Sequence, residues 1–315
     1  MMTQYANRAT MALLTLLAAI LGACSPKGEA TDQRPVVTVT IEPLRLFTEV
    51  IAGERWRVVS MVPQGNSPET YDPTPQQLVE LERSRAYLLI GHIGFERTWK
   101  DRMASNAPQL PMFDTSEGVD LIRGGHRHEH AHQDTQLHSN EEKAENGHSI
   151  ADDDLSIDPH IWNSPRNARI IARNVAEALK TIDPEGEAVY KRGLDSLCLV
   201  IDRTDSVVRT LLAQPNAGRT FLIYHPALTY FARDYGLNQI AIENEGKEPT
   251  PAHLAELIET CRSRQVRVVF VQPEFDQRNA ALIAQQTGST VIPINPLAYD
   301  WSKELVRTAQ ALTAP

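Results

Sequence analysis

The chain has 315 residues, of which 42% are hydrophobic and 23% charged, and its formal net charge at pH 7 is −9. This length suits one large domain or two lobes with ample buried core. Residues 126–160 hold nine carboxylates against one arginine and one lysine, so most of the negative excess lies in one segment. The rest is nearly balanced and offers no basic field for a phosphate backbone, so nucleic acid is excluded as an expected partner.

The first residues are typical of an export signal. Arg8 gives a positive start, and 11–22 is apolar but too short for a comfortable membrane span. Small residues then precede Cys24, a pattern similar to a bacterial lipoprotein signal, in which the cysteine is lipidated. We predict a signal peptide over 1–23, a membrane anchor at Cys24, a polar tether over 24–34, and a body in the periplasm or extracytoplasmic space. An ordinary secretory signal with an incidental cysteine is the alternative.

Two further cysteines, Cys198 and Cys261, follow. An oxidising compartment allows them to pair, and two free buried thiols fit the sequence equally well. Neither has the spacing of a thiolate metal site.

From residue 35 onward, short β-branched runs alternate with helical patterns, which predicts an α/β lobe over 35–164. The predicted strands are 36–41, 57–62, 86–90 and a weaker one near 110–113. The predicted helices are 44–52, 75–83 and 95–103.

Within this lobe lies a histidine-rich insert, predicted over 124–156. The stretch 126–160 holds seven of the ten histidines in an acidic run with few apolar residues. Imidazole binds zinc and its neighbours, and so polar a segment cannot pack a core. We expect weak, exchangeable metal coordination by a flexible insert; a merely solvated insert is the alternative. Its expected auxiliary ligands are His126, His128, His130, His132, His138 and His148.

Long helical periodicity follows the insert, with one break at Asp183 and Pro184, and predicts linking helices over 165–217. A second α/β lobe is predicted over 218–315. Its expected strands are 220–224, 239–242, 266–272 and 290–294. Its expected helices are 227–235, 251–264, 276–287 and one that begins near Ser302.

The predicted fold class is therefore α/β, with two lobes of mainly parallel sheets joined by a long rigid helix. Ligands of open α/β sheets bind beyond the carboxyl ends of the strands, which places a metal site in the cleft between the lobes. Metal-capable residues that follow predicted strands, or end the insert, are Glu69, Asp72, His92, His160, His225, Glu243 and Asn295.

Several motifs in order resemble the zinc/manganese-type substrate-binding lipoproteins of bacterial ABC importers, a family that includes adhesin lipoproteins. They are the lipoprotein signal, SPETYDPTP at 67–75, the insert, DPHIWNSP at 158–165, YHPAL at 224–228 and VIPINPLAYDW at 291–301. The resemblance covers essentially the whole mature chain. It implies one divalent ion held between two lobes, delivery to an ABC permease, a monomer, and no enzymatic activity.

The resemblance also implies a ligand set. The family's three usual histidine positions fall on Glu69, His160 and His225, so a carboxylate replaces one histidine. Two imidazoles and a carboxylate accept Zn²⁺, the expected ion, but also Mn²⁺ or Fe²⁺. The fourth ligand is expected at Glu243. Asn295, which stands where the manganese type has aspartate, and solvent are the alternatives.

Structural roles compete with these assignments. His160 and His225 could orient or cap neighbouring backbone, whereas Glu69 and Glu243 could be solvated charges. His92 and His253 are expected to be structural or surface residues.

Three functions fit the sequence to different degrees. The first is an extracytoplasmic receptor for a divalent metal. The second is a surface adhesion or interaction lipoprotein that metal merely stabilises. The third, a zinc hydrolase, would need an open coordination position and a general base, and the sequence contains no HExxH signature.

Overall fold

A computed structural model describes residues 32–124, 157–244 and 246–313. Within these ranges the chain from Pro35 onward forms one compact unit. No helix in them is long and apolar enough to cross a membrane. Cys24 and the six insert histidines lie outside the described residues.

The first sheet has four parallel strands in the order β2-β1-β3-β4. Its strands are β1 Val36–Val39, β2 Arg57–Ser60, β3 Ala86–Leu89 and β4 Met112–Asp114. The helices between them are α1 Glu42–Ala52, α2 Pro75–Glu82 and α3 Gly94–Asn106. The central strands are almost wholly buried, as expected for a parallel sheet with both faces covered.

Two helices connect the first sheet to the second. A short 3₁₀ turn, Ile161–Asn163, leads into α4 Pro165–Ile182, and a second 3₁₀ turn separates it from α5 Glu187–Leu212. Ser164 begins α4 because its hydroxyl accepts a hydrogen bond from the Asn167 N–H at 3.1 Å. The predicted break at Asp183 is confirmed, and its carboxylate pairs with Arg55 at 2.7 Å. With 26 residues, α5 is roughly 39 Å long.

The second sheet repeats the topology of the first, with parallel strands in the order β6-β5-β7-β8. Its strands are β5 Thr220–Ile223, β6 Asn238–Ala241, β7 Val268–Val271 and β8 Thr290–Pro293. Its helices are α6 Thr229–Tyr235, α7 Pro251–Ser263, α8 Arg278–Thr287 and α9 Trp301–Thr313. In each sheet the strand order reverses between the first and third strands, which opens a crevice at their carboxyl ends.

A continuous buried cluster joins the two sheets through the linking helices. Trp301 packs edge-on against Phe47 of α1, with ring centroids 5.3 Å apart, and its Nε1 donates to the Trp162 carbonyl at 2.7 Å. Trp162 in turn donates from Nε1 to the Pro296 carbonyl at 2.8 Å. The predicted architecture of two parallel-sheet lobes joined by a long helix is confirmed.

Cys198 and Cys261 are both free thiols. Cys261 lies buried on α7, and burial raises its pKa to about 11. The alternative of a disulfide between them is therefore excluded in this structure.

Candidate metal centre

His160 lies in the turn before α4 and is held by Asp158. The Asp158 carboxylate accepts the His160 backbone N–H at 2.9 Å and lies 3.0 Å from Nδ1. Both side chains are buried. Burial is the largest single effect and opposes the charged imidazole, but the charge and hydrogen bond of Asp158 outweigh it and raise the pKa of His160. With Nδ1–H donated to Asp158, the Nε2 lone pair is directed away from it.

His225 directly follows β5 and is fixed on three sides. The side-chain amide of Gln272 makes two hydrogen bonds to the His225 backbone: its oxygen accepts from the N–H at 3.2 Å, and its nitrogen donates to the carbonyl at 2.6 Å. Phe275 stacks on its ring, with centroids 5.2 Å apart. Glu243, itself buried, faces His225 Nδ1 at 3.0 Å. The Nε2 atom of His225 is thereby left to face the cleft.

The two imidazoles meet at their Nε2 atoms, which are 3.1 Å apart. With each Nδ1–H donated to a carboxylate, both Nε2 atoms face the same point, where either a proton on one ring or a shared cation must lie between the two lone pairs. Zinc binds histidine nitrogen at about 2.0–2.1 Å, so tetrahedral coordination places two nitrogens about 3.3 Å apart. The observed separation is close to that value and suits a shared divalent ion.

Glu69 approaches the same place from the loop after β2. Its Oε2 accepts the Gly94 N–H at 3.0 Å, and its Oε1 is buried without a hydrogen-bond partner. A Cβ at position 94 would lie 2.5 Å from the Glu69 carbonyl oxygen and 2.8 Å from Oε2. Only glycine permits this close approach of α3 to the loop that positions the carboxylate.

These side chains line a cavity of about 30 Å³. The cavity is large enough for one ion and a water molecule. Its lining comprises Ser67, Pro68, Glu69, His160, Trp162, His225, Ala227, Gln272, Glu274, Phe275, Pro296 and Leu297.

Three of the predicted ligands, Glu69, His160 and His225, thus line one cavity. Glu243, the predicted fourth ligand, contacts Nδ1 of His225 and is not among the residues that line the cavity. Asn295 is also absent from the lining, and its Oδ1 accepts the Leu297 N–H at 3.0 Å. Within the described ranges no three histidine, cysteine, aspartate or glutamate side chains already lie close enough together to hold an ion, so the side chains that line the cavity would have to draw closer when an ion binds.

The remaining metal-capable residues lie outside the cavity. Asp72 accepts a hydrogen bond from Trp99 Nε1 at 3.2 Å, and His92 Nε2 lies 3.5 Å from the Ser116 hydroxyl. His253 faces Glu256 on α7 at 3.8 Å. These contacts fit the expected structural or surface roles of the two histidines.

One cavity residue, Glu274, was missed from the sequence. It follows β7 just as His225 follows β5, and the two strands are neighbours in the sheet. The rule that selected the other candidates, a metal-capable side chain after a predicted strand, applies to it equally.

A buried carboxyl of the first lobe, Glu96, gives a pH-dependent prediction. Glu96 accepts hydrogen bonds from the Thr40 hydroxyl and from the N–H groups of Ile90 and Gly91, at 2.7 and 2.6 Å for the latter two. Burial raises its pKa to about 7. Because the folded protein holds this proton more tightly than the unfolded chain, the contribution to stability is greatest below about pH 4.5 and is lost as pH rises towards 7.

We expect this group to lower the free energy of unfolding by about 3 kcal/mol between pH 4.5 and 8. Urea unfolding of the wild type and Glu96→Gln at several pH values measures it. The variant should start less stable, because an amide cannot accept from every donor, but should lack this fall with pH. Equal pH slopes for both proteins would contradict the assignment.

Comparison with known proteins places these features in a family. The family model described as ZnuA, zinc-uptake complex component A, periplasmic, matches residues 37–312. A putative metal-binding protein of Chlamydia muridarum is 28% identical over 302 residues, which cover 96% of this chain and 99% of that protein. The high-affinity zinc uptake system protein ZnuA of Bacillus subtilis is 26% identical over 304 residues, covering 94% and 90% respectively.

A solved structure gives the same result. The crystal structure of ZnuA superposes with a TM-score of 0.77 at 32% identity, and the match covers 89% of this chain and 98% of that chain.

Proposed function

This chain belongs to the ZnuA family of periplasmic zinc-uptake components, and from that premise we propose that it is a receptor that captures one divalent ion, most readily zinc, and delivers it to an ABC-type importer. Members of this family are binding components of an uptake complex, not enzymes. The observation that supports the proposal most strongly is the pair of Nε2 atoms 3.1 Å apart, each on a histidine held by a buried carboxylate.

In this proposal Glu69, His160 and His225 bind the ion directly. Asp158 and Glu243 hold the imidazoles in the tautomer that leaves the Nε2 lone pair free to bind the ion. By accepting the Nδ1–H they also make Nε2 more basic, and so a stronger metal ligand. No bond of a substrate needs to be broken, and the cavity has room for the ion and a water molecule. The site therefore suits reversible capture and release.

The choice of zinc rests on the two nitrogen ligands and on the name of the Bacillus subtilis relative, a zinc uptake protein. The carboxylate of Glu69 makes the set harder than three imidazoles, so Mn²⁺ and Fe²⁺ are the competing ions.

The proposed organisation of the chain follows from the sequence. A signal peptide over 1–23 and lipidation at Cys24 would anchor the protein to a membrane, with 24–34 as tether. The lobes would span 35–164 and 218–315, with linking helices over 165–217. The insert over 124–156 would collect metal and pass it to the cleft, and the receptor would act as a monomer that docks on an ABC permease.

A deletion of 124–156 tests the division between insert and cleft. Arg123 and Ile157, which flank the deleted segment, form an antiparallel β-bridge, so a two-residue Asn-Gly turn in place of 124–156 should rejoin the chain without disturbing the fold. We expect the purified deletion protein to retain one tightly bound zinc by metal analysis, and to lose only weaker, exchangeable ions. Equal urea midpoints in metal-free buffer would confirm that both proteins are intact.

Loss of zinc from the deletion protein would contradict the cleft assignment. If the folded deletion protein retains no zinc while the complete chain does, the insert is the principal site and the cleft assignment fails. Hydrolytic turnover of model esters or peptides by the zinc-loaded chain would instead favour the enzyme hypothesis.

A further inference from the structure

Glu274 occupies a special position in the second sheet. It lies just beyond β7, and His225 lies just beyond β5, which pairs directly with β7. The strand order of this sheet reverses between β5 and β7, so their carboxyl ends form the crevice where α/β sheets bind ligands. Glu274 and His225 therefore reach one cavity from adjacent strands.

One carboxylate oxygen of Glu274 lacks a hydrogen-bond partner. This atom, Oε1, is buried and accepts no hydrogen bond. The same is true of Glu69 Oε1, on the other side of the cavity. Burial raises the pKa of Glu274, although its own backbone N–H and the charge of His225 partly offset this. A buried, unpartnered carboxylate oxygen is costly unless a cation or donor reaches it, and here two of them line a cavity of ion size.

We propose that Glu274 supplies the fourth protein ligand, so that each side of the cavity contributes one histidine and one glutamate. This inference rests on the proposed function and refines its metal site. Two glutamates would neutralise a divalent ion, and each would satisfy the buried oxygen that otherwise lacks a partner.

The two other candidates for this role are engaged elsewhere. The Oε1 of Glu243 is held by His225 Nδ1, on the opposite edge of the ring from Nε2. Asn295 Oδ1 accepts a backbone N–H from Leu297. Glu274 is the remaining carboxylate that lines the cavity beside Glu69 in the described part of the chain.

A consequence concerns ion selectivity. Two imidazoles and two carboxylates form a harder set than the three-histidine pattern, and oxygen ligands favour Mn²⁺ and Fe²⁺ relative to zinc. Glu274 should therefore matter more for Mn²⁺ than for Zn²⁺.

The test uses the full chain with the six insert histidines changed to glutamine, so that only the cleft is measured. Glu274→Gln keeps the shape of the side chain and removes its charge. Asp276→Asn is the matched control, because it removes the same charge from the same loop, where Asp276 is exposed and paired with Arg278 at 2.8 Å. Affinities for Zn²⁺ and Mn²⁺ are measured by chelator competition, and Co²⁺ absorption reports the ligand set.

We expect Glu274→Gln to weaken Mn²⁺ binding by more than about tenfold, Zn²⁺ binding by less, and to shift the Co²⁺ visible bands. Asp276→Asn should stay within about twofold of its parent. The metal-free Glu274→Gln protein should be at least as stable as its parent, since it loses a buried, unpartnered charge.

An unchanged Co²⁺ spectrum and unchanged affinities in Glu274→Gln would overturn the inference, as would a purely structural loss of stability with normal metal binding. His160→Ala in the same background separates this from failure of the proposed function. If that variant also binds zinc normally, the ion does not occupy the cleft at all.

Discussion

Replacing His160 or His225 with alanine should lower zinc affinity at the cleft by more than about a hundredfold, the largest functional effect expected for this protein. Each substitution removes one of the two nitrogens that face each other at 3.1 Å. It also leaves Asp158 or Glu243 buried without its imidazole partner. Chelator competition in the chain whose six insert histidines are glutamine measures the affinity without contribution from the insert.

Controls distinguish ligands from residues that orient them. His253→Ala, on α7 outside the cavity, should bind zinc as the parent does. Asp158→Asn should lower zinc affinity by about 10–100-fold, which is less than His160→Ala and more than His253→Ala, because it disturbs only the orientation of His160. Zinc binding that survives in both histidine variants would show that the cleft is not the metal site.

Much of the fold could be predicted because local pattern and tertiary structure agree. The β-branched runs predicted at 36–41 and 220–224 became β1 and β5, since parallel strands buried on both faces need continuous apolar sequence. Asp183 and Pro184 marked the break between α4 and α5 because proline cannot continue a helix but suits the first turn of a new one. Sheet order was not predictable, because the sequence does not state which strands pair.

The metal site, too, depends on strand pairing that the sequence does not reveal. His160 and His225 could be selected from sequence because a histidine after a strand or at the end of the insert is an unusual signal. Glu243 was selected and Glu274 was missed, although each follows a strand of the second lobe and the sequence offers no ground for preferring one to the other. Their positions differ because β5 lies between β6 and β7: Glu243 follows one neighbour and contacts His225 Nδ1, whereas Glu274 follows the other and lines the cavity.

The second large effect concerns stability and lies where the lobes meet. Trp301→Ala should lower the free energy of unfolding by about 3–5 kcal/mol. The ring is 2% exposed, packs against Phe47 from the first lobe, and donates from Nε1 to the Trp162 carbonyl at 2.7 Å. Alanine leaves a cavity between the lobes and removes that donor. Urea denaturation followed by circular dichroism measures the loss.

Two further variants separate packing from hydrogen bonding and local from shared effects. Trp301→Phe keeps most of the bulk and should cost about 1–2 kcal/mol, chiefly for the unpartnered carbonyl of Trp162. Trp99→Ala, on partly exposed α3, should cost less than half as much as Trp301→Ala.

Because Trp162 and Pro296 also line the metal cavity, Trp301→Ala should weaken zinc binding even where the protein remains folded. Unchanged zinc affinity in folded Trp301→Ala would show that the contact between the lobes and the site are independent, whereas a joint loss would show that one tryptophan pair both fixes the lobes and shapes the cavity.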